Sequence, residues 1–128
     1  MSLLHKIFGA PTPKKPPVHV TDATFQELVL DSDIPVVVDF WGEGCPPCKR
    51  LEPVVMQLAG AFEGQVRVCE APIRETLGAA QALGIRSTPT VIYFMPGGKV
   101  VERVVGFRGW AYHEEIVRTD LLGEDRGG

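Results

Sequence analysis

Val36-Val37-Val38-Asp39-Phe40-Trp41-Gly42-Glu43-Gly44-Cys45-Pro46-Pro47-Cys48-Lys49-Arg50 decides how the rest of the chain is read. Residues 36–41 are apolar almost throughout, as in a buried central strand. One acid, Asp39, interrupts them. The strand runs through Gly42-Glu43-Gly44 into two cysteines with two prolines between them. Proline is tolerated in the first helical turn, where its missing N–H has no intrahelical partner. A helix opening at Pro46 puts Cys45 at its N-terminus and Cys48 one turn in, close enough to close a ring. A strand feeding such a helix start is the sequence form of a thiol–disulfide redox site.

The chemistry follows from the positions. Only a thiolate attacks a disulfide, so the attacking sulfur needs a lowered pKa. At a helix start the unpaired N–H groups and the positive end of the helix dipole favour a negative sulfur. Cys45 is therefore the expected attacking residue. Cys48, less accessible, is expected to attack Cys45 in turn and release the reduced substrate. Pro46 and Pro47 stiffen the loop and remove two donors from the neighbourhood of Cys45, which points to a more reducing pair. Asp39 stands in an apolar strand, so burial should raise its pKa. Its expected role is to accept the Cys48 proton, directly or through a water; the plainer alternative is a partly solvated acid at a strand end.

Outward from this stretch, apolar strands alternate with helical patterns. Strands are expected at 18–20, 36–41, 66–71, 90–95 and 100–105. Helices are expected from Thr21 or Asp22 to about Leu30, and over 46–60, 75–83 and 109–122. Gly84 is a natural helix stop, and Pro96-Gly97-Gly98-Lys99 is a hairpin turn signal. The order β-α-β-α-β-α-β-β-α implies an α/β fold with a central mixed sheet and helices on both faces. Residues 1–17 stand apart as an extension. Pro11-Thr12-Pro13-Lys14-Lys15-Pro16-Pro17 is expected to be an extended, solvated spacer. Before it, Leu3, Leu4, Ile7 and Phe8 can share one face of a short helix. Residues 18–122 form the expected domain and 123–128 a polar tail.

The bulk properties restrict the partners. The 128 residues are 45% hydrophobic and 23% charged, with a net charge of −3, the balance of a soluble globular domain with no basic footprint for nucleic acid. No apolar run approaches the ~20 residues that span a membrane. Residues 1–17 do not read as an export signal, so the cytoplasm is the expected compartment. Three cysteines there point to reactivity rather than a structural disulfide framework. Cys69 reads as a small core residue. His5, His19 and His113 are scattered without metal-ligand spacing, so no metal and no cofactor beyond the cysteine pair is expected.

These motifs resemble the thioredoxin family over about residues 18–122. Trp41, Cys45, Pro47, Cys48 and Lys49 stand where the family's Trp-x-x-x-Cys-Gly-Pro-Cys-Lys motif puts them. Asp39 matches the family's buried aspartate and Pro53 the proline of its active-site helix. Arg86-Ser87-Thr88-Pro89-Thr90 matches the segment holding its cis-proline, with Gly97 or Gly98 and Gly106 also in place. The resemblance implies the thioredoxin fold and a protein-disulfide oxidoreductase acting as a monomer. It implies disulfide-containing proteins as substrates and a thioredoxin-reductase-type electron donor. A cis bond before Pro89 leaves the Thr88 backbone free to pair with a substrate strand.

Departures from the pattern matter as much. Pro46 replaces the motif glycine. Gly44 replaces the tryptophan before the first cysteine and leaves Cys45 more exposed. Thr88 replaces a common isoleucine, which brings a hydroxyl near Cys45. Glu70 falls where the family has a lysine facing the aspartate. Either Glu70 still meets Asp39 and the attraction becomes a repulsion, or Glu70 turns to solvent and nothing replaces the lysine. Position by position, the substrate surface implied is Trp41, Gly44, Pro46, Pro47, Ile73, Ser87, Thr88, Val105, Gly106 and Phe107. Phe107 stands where a small residue is common, so the large apolar contact has moved to the other side of the cysteines, unless Phe107 packs on Trp110. Two further functions stay open at this point. One is a disulfide oxidant or isomerase in an exported setting. The other is a binding module of low turnover that uses the same groove.

Overall fold

The computed structural model describes residues 13–124. The helix expected around Leu3, Leu4, Ile7 and Phe8 lies outside the described residues, as do positions 125–128.

Five strands form one mixed sheet in the order β1-β3-β2-β4-β5. They are β1 (Val18–His19), β2 (Val36–Trp41), β3 (Arg67–Pro72), β4 (Thr90–Met95) and β5 (Lys99–Val105). β3 is parallel to both β1 and β2, whereas β4 is antiparallel to β2 and to β5. The helices are α1 (Asp22–Phe25, continued by a π-helical stretch Gln26–Leu30), α2 (Pro46–Ala61), α3 (Leu77–Ala82) and α4 (Trp110–Ile116, continued by Val117–Leu121). This is the thioredoxin fold, with the element order the sequence implies.

Alternation along the central strands divides the core in two. Val37, Val68, Val91 and Tyr93 pack with Leu51, Val55 and Leu58 of α2 and with Ile116 and Val117. Val36, Val38, Phe40, Cys69, Ile92 and Phe94 pack with Phe25, Val29 and Ala79 on the opposite face. Both faces of β2 are thus covered, which is why its sequence is nearly all apolar. Asp39 falls on the α2 side, in phase with Val37.

Local chemistry sets the ends of the elements. The Thr21 N–H donates to Thr24 Oγ1 at 3.0 Å at the start of α1. The Asp22 carboxylate accepts from the Gly78 and Ala79 N–H groups at 2.8 and 2.9 Å, so an acid of α1 satisfies the opening turn of α3. The helix expected over 75–83 is split: Ile73–Glu75 is a 3-10 turn and α3 begins at Leu77. The spacer is less detached than expected. Its side chains are largely exposed, but the Lys15 N–H donates to the Met56 carbonyl of α2 at 3.0 Å. A Cβ at Gly60 would stand 1.5 Å from the Pro13 carbonyl oxygen. Glycine at position 60 therefore lets this segment lie on the helix.

Candidate active site

Cys45 is the N-cap of α2, with Pro46 and Pro47 as the first two helical residues. Neither proline has an N–H to offer, so the first available donor is Cys48, whose N–H points at Cys45 Sγ at 3.3 Å. The two cysteines form a disulfide with their Cα atoms 5.3 Å apart. Cys45 is half-buried while Cys48 is 4% exposed. One sulfur thus faces the surface and the other the interior.

The loop before β4 closes over the pair. The Thr88–Pro89 peptide bond is cis. Thr88 Oγ1 donates to Cys45 Sγ at 3.6 Å, and the Thr88 carbonyl oxygen stands at the same distance. Gly106 has φ +86° and gives its N–H to the Pro89 carbonyl at 2.8 Å, tying the end of β5 to this loop. A Cβ at Gly42 would lie 3.3 Å from Thr88 Oγ1, a tight contact that the Thr88 side chain would have to yield to. Gly44 sits at φ +62°, the left-handed region where a side chain is costly. That conformational demand on position 44 is not visible in the sequence.

Beneath the disulfide lies Asp39, 4% exposed, with Oδ1 lacking a hydrogen-bond partner among the described residues. Burial, then the charge of Glu70 and then that of Glu52, push its carboxyl up to about 7. Asp39 and Cys48 open on one cavity of about 620 Å³, bordered also by Trp41, Glu52, Met56 and Glu70. Glu70 neither turns wholly to solvent nor pairs with Asp39: it is the register partner of Asp39 across the β2–β3 ladder, on the same face of the sheet, and stays partly exposed. Its Oε1 accepts from Trp41 Nε1 at 2.6 Å, which fixes the indole beside the site.

Of the expected groove residues, Ile73 and Phe107 stand in different surroundings. Ile73 lines a second cavity of about 360 Å³ with Trp41, Gly42 and Pro72. Leu77, 62% exposed, borders the same cavity and was not anticipated; its signal, an apolar residue opening α3, is indistinguishable in sequence from a core position. Phe107 is 39% exposed with the Arg50 guanidinium 5.2 Å over its ring. Trp110 stacks on Phe62 instead. Phe107 is therefore a surface residue, covered on one face by Arg50 of α2. Cys69 is fully buried, and burial pushes its thiol up to about 12, which keeps it unreactive. Among the described residues no group of three or more His, Cys, Asp or Glu side chains is placed to hold a metal ion, and no helix is long and apolar enough to cross a membrane.

A cysteine pair at a helix start, the first half-buried and the second buried in a cavity with a carboxyl, together with a cis-proline loop, defines a thiol–disulfide oxidoreductase. The comparisons with known proteins agree. The thioredoxin family model matches residues 16–118. Thioredoxin 1 of Nostoc sp. (strain PCC 7120) is 47% identical over 87 residues, 68% of this chain and 80% of the relative. The thioredoxin of Synechocystis sp. (strain PCC 6803) is 46% identical over the same shares. That of Haemophilus influenzae is 37% identical over 70% of this chain and 82% of its own length. The chain belongs to the thioredoxin family and is a protein-disulfide oxidoreductase.

Proposed function

We propose that the chain works as a reductant of disulfides in other proteins, with Cys45 attacking, Cys48 resolving and Asp39 accepting the Cys48 proton. The Cys45 thiolate attacks one sulfur of a substrate disulfide, and the other substrate sulfur leaves as a thiolate and takes up a proton. Cys48 then gives its proton to Asp39, and its sulfur attacks Cys45 Sγ. The Cys45–Cys48 bond forms, the mixed disulfide breaks, and the second substrate sulfur leaves. The substrate gains two electrons, and two electrons from a thioredoxin-reductase-type donor reopen the ring.

The observation that carries this reading is the asymmetry of the pair: Cys45 at the surface receiving the Cys48 N–H, and Cys48 buried in the cavity that holds Asp39. Thr88 and Pro89 offer backbone to an extended substrate segment. Trp41, Ile73 and Leu77 flank it, as do Gly106 and Phe107, with Gly44, Pro46 and Pro47 at the rim. We assign this work to residues 18–122 as one domain, in the cytoplasm, with every site residue drawn from a single copy.

Dithiothreitol-driven reduction of insulin tests the enzyme. Cys45→Ser should abolish turnover, and Cys48→Ser should accumulate a mixed disulfide with substrate. The reduction potential tests the direction. A value near the roughly −270 mV of thioredoxin supports the reductant. A value near the roughly −120 mV of strong oxidants overturns it in favour of an exported oxidant.

A further inference from the structure

The sheet lines up three ionisable side chains in one row beside the redox centre. His19 on β1 is the register partner of Glu70 on β3, and Glu70 is the register partner of Asp39 on β2. Register partners on neighbouring strands share a face of the sheet, so the row lies on the α2 side with Asp39. Glu70 is held at both oxygens: Oε1 by Trp41 Nε1 at 2.6 Å and Oε2 by His19 Nδ1 at 2.5 Å. The other ring nitrogen of His19 meets Glu75 Oε1 at 3.1 Å.

This geometry bears on the charge of His19. A neutral imidazole has one N–H and one acceptor nitrogen. With a carboxylate at each nitrogen, both contacts are made best when both nitrogens donate, so the arrangement favours the imidazolium. We propose that His19 is a positioning residue for the redox reaction: held between Glu70 and Glu75, its positive charge offsets the Glu70 charge that reaches Asp39, and so sets the pH at which the Asp39 carboxyl ionises. Outside the row, Lys49 of α2 and Glu43 line the cavity that Asp39 opens on, a cation and an anion that leave the balance within the row to His19 and Glu70. Glu52 of α2 adds a second negative charge facing Asp39, and Tyr93 of β4 is neutral. Arg74, beside Glu75 in the 3-10 turn, is engaged by Glu43 and reaches Glu75 at 3.9 Å. In keeping with the geometry, the hydrogen bonds to Glu70 and then Glu75 raise His19 above the ordinary histidine value.

The inference rests on Asp39 as the acceptor of the Cys48 proton for its effect on turnover, but not for the electrostatic link itself. As pH rises and His19 loses its proton, Glu70 acts on Asp39 uncompensated and delays the ionisation of Asp39. The experiment is a ¹³C titration of the Asp39 carboxyl in the reduced full-length protein, alongside the pH profile of insulin reduction. H19Q should raise the Asp39 midpoint by about half a pH unit, the scale of one charge at this remove through a partly solvated path. H19K, with a permanent cation, should return it to the wild-type midpoint or below. E70Q keeps an acceptor for Trp41, removes the charge, and should lower it. Equal midpoints in wild type and H19Q overturn the proposal, as does an identical shift in H19Q and H19K. Midpoints that move as expected while the turnover profile stays fixed keep the electrostatic link but overturn the role of His19 in the redox reaction, and remove Asp39 from the turnover mechanism.

Discussion

Glu70 stands directly across the parallel β2–β3 ladder from Asp39, so two carboxyls share one face of the sheet under the disulfide. A carboxylate with little water around it, and with a like charge beside it, is expensive to ionise. Asp39 therefore holds its proton up to about pH 7.

Replacing Asp39 by Asn should stabilise the fold at alkaline pH and slow the reaction. The native carboxyl at about 7 stands above its value of 3.8 in the unfolded chain. The unfolded state thus releases its proton first, and wild-type stability falls as pH rises from about 4 to 7. The full difference corresponds to about 4 kcal/mol above pH 7. Urea unfolding at pH 8 should find Asp39→Asn more stable by up to about that amount, with the gain gone near pH 4. Insulin reduction by the variant should fall about 10- to 100-fold.

Glu70→Lys should lower the Asp39 midpoint by at least about one pH unit, because a repulsion becomes an attraction. The same carboxyl titration reads it. An unchanged midpoint would mean that desolvation alone holds Asp39 protonated.

A second buried group runs the other way. His113 is fully buried, with Nδ1 bonded to the Tyr93 hydroxyl and Nε2 without a partner among the described residues. Burial holds it down to about 4. The unfolded chain binds a proton near pH 6.5 that the folded chain refuses, so stability is lost as pH falls from about 6.5 to 4. The loss approaches about 3 kcal/mol. In His113→Leu/Tyr93→Phe, which removes both polar partners together, thermal melting should lose this acid-side decline.

Phe107→Ala tests the exposed ring. Its contact with Arg50 lies at the surface, so the fold should lose little. KM for a protein disulfide should rise about 3- to 10-fold, whereas that for a small disulfide should hardly change. Equal increases would assign Phe107 to packing.

The strand 36–41, the helix opening at Pro46 and the pairing of Cys45 with Cys48 were legible because each depends on residues close in sequence. The stop at Gly84 and the turn at Gly97-Gly98 were legible for the same reason, since only local backbone conformation is involved. The split before α3 was not, because the Asp22 carboxylate that starts that helix comes from α1. Nor was the contact of residues 13–15 with α2, which depends on a helix glycine far along the chain.

By itself the sequence determined the fold class, the redox pair and the acid beneath it, since apolar period, proline placement and cysteine spacing are local properties of the chain. Only the tertiary structure decided what surrounds that acid. The order β1-β3-β2 brings residues 19, 70 and 39 side by side from three separate parts of the sequence. A scattered histidine thereby becomes the counter-ion of Glu70. The physical reason is that strand pairing sets lateral neighbours, and electrostatics acts through space rather than along the chain.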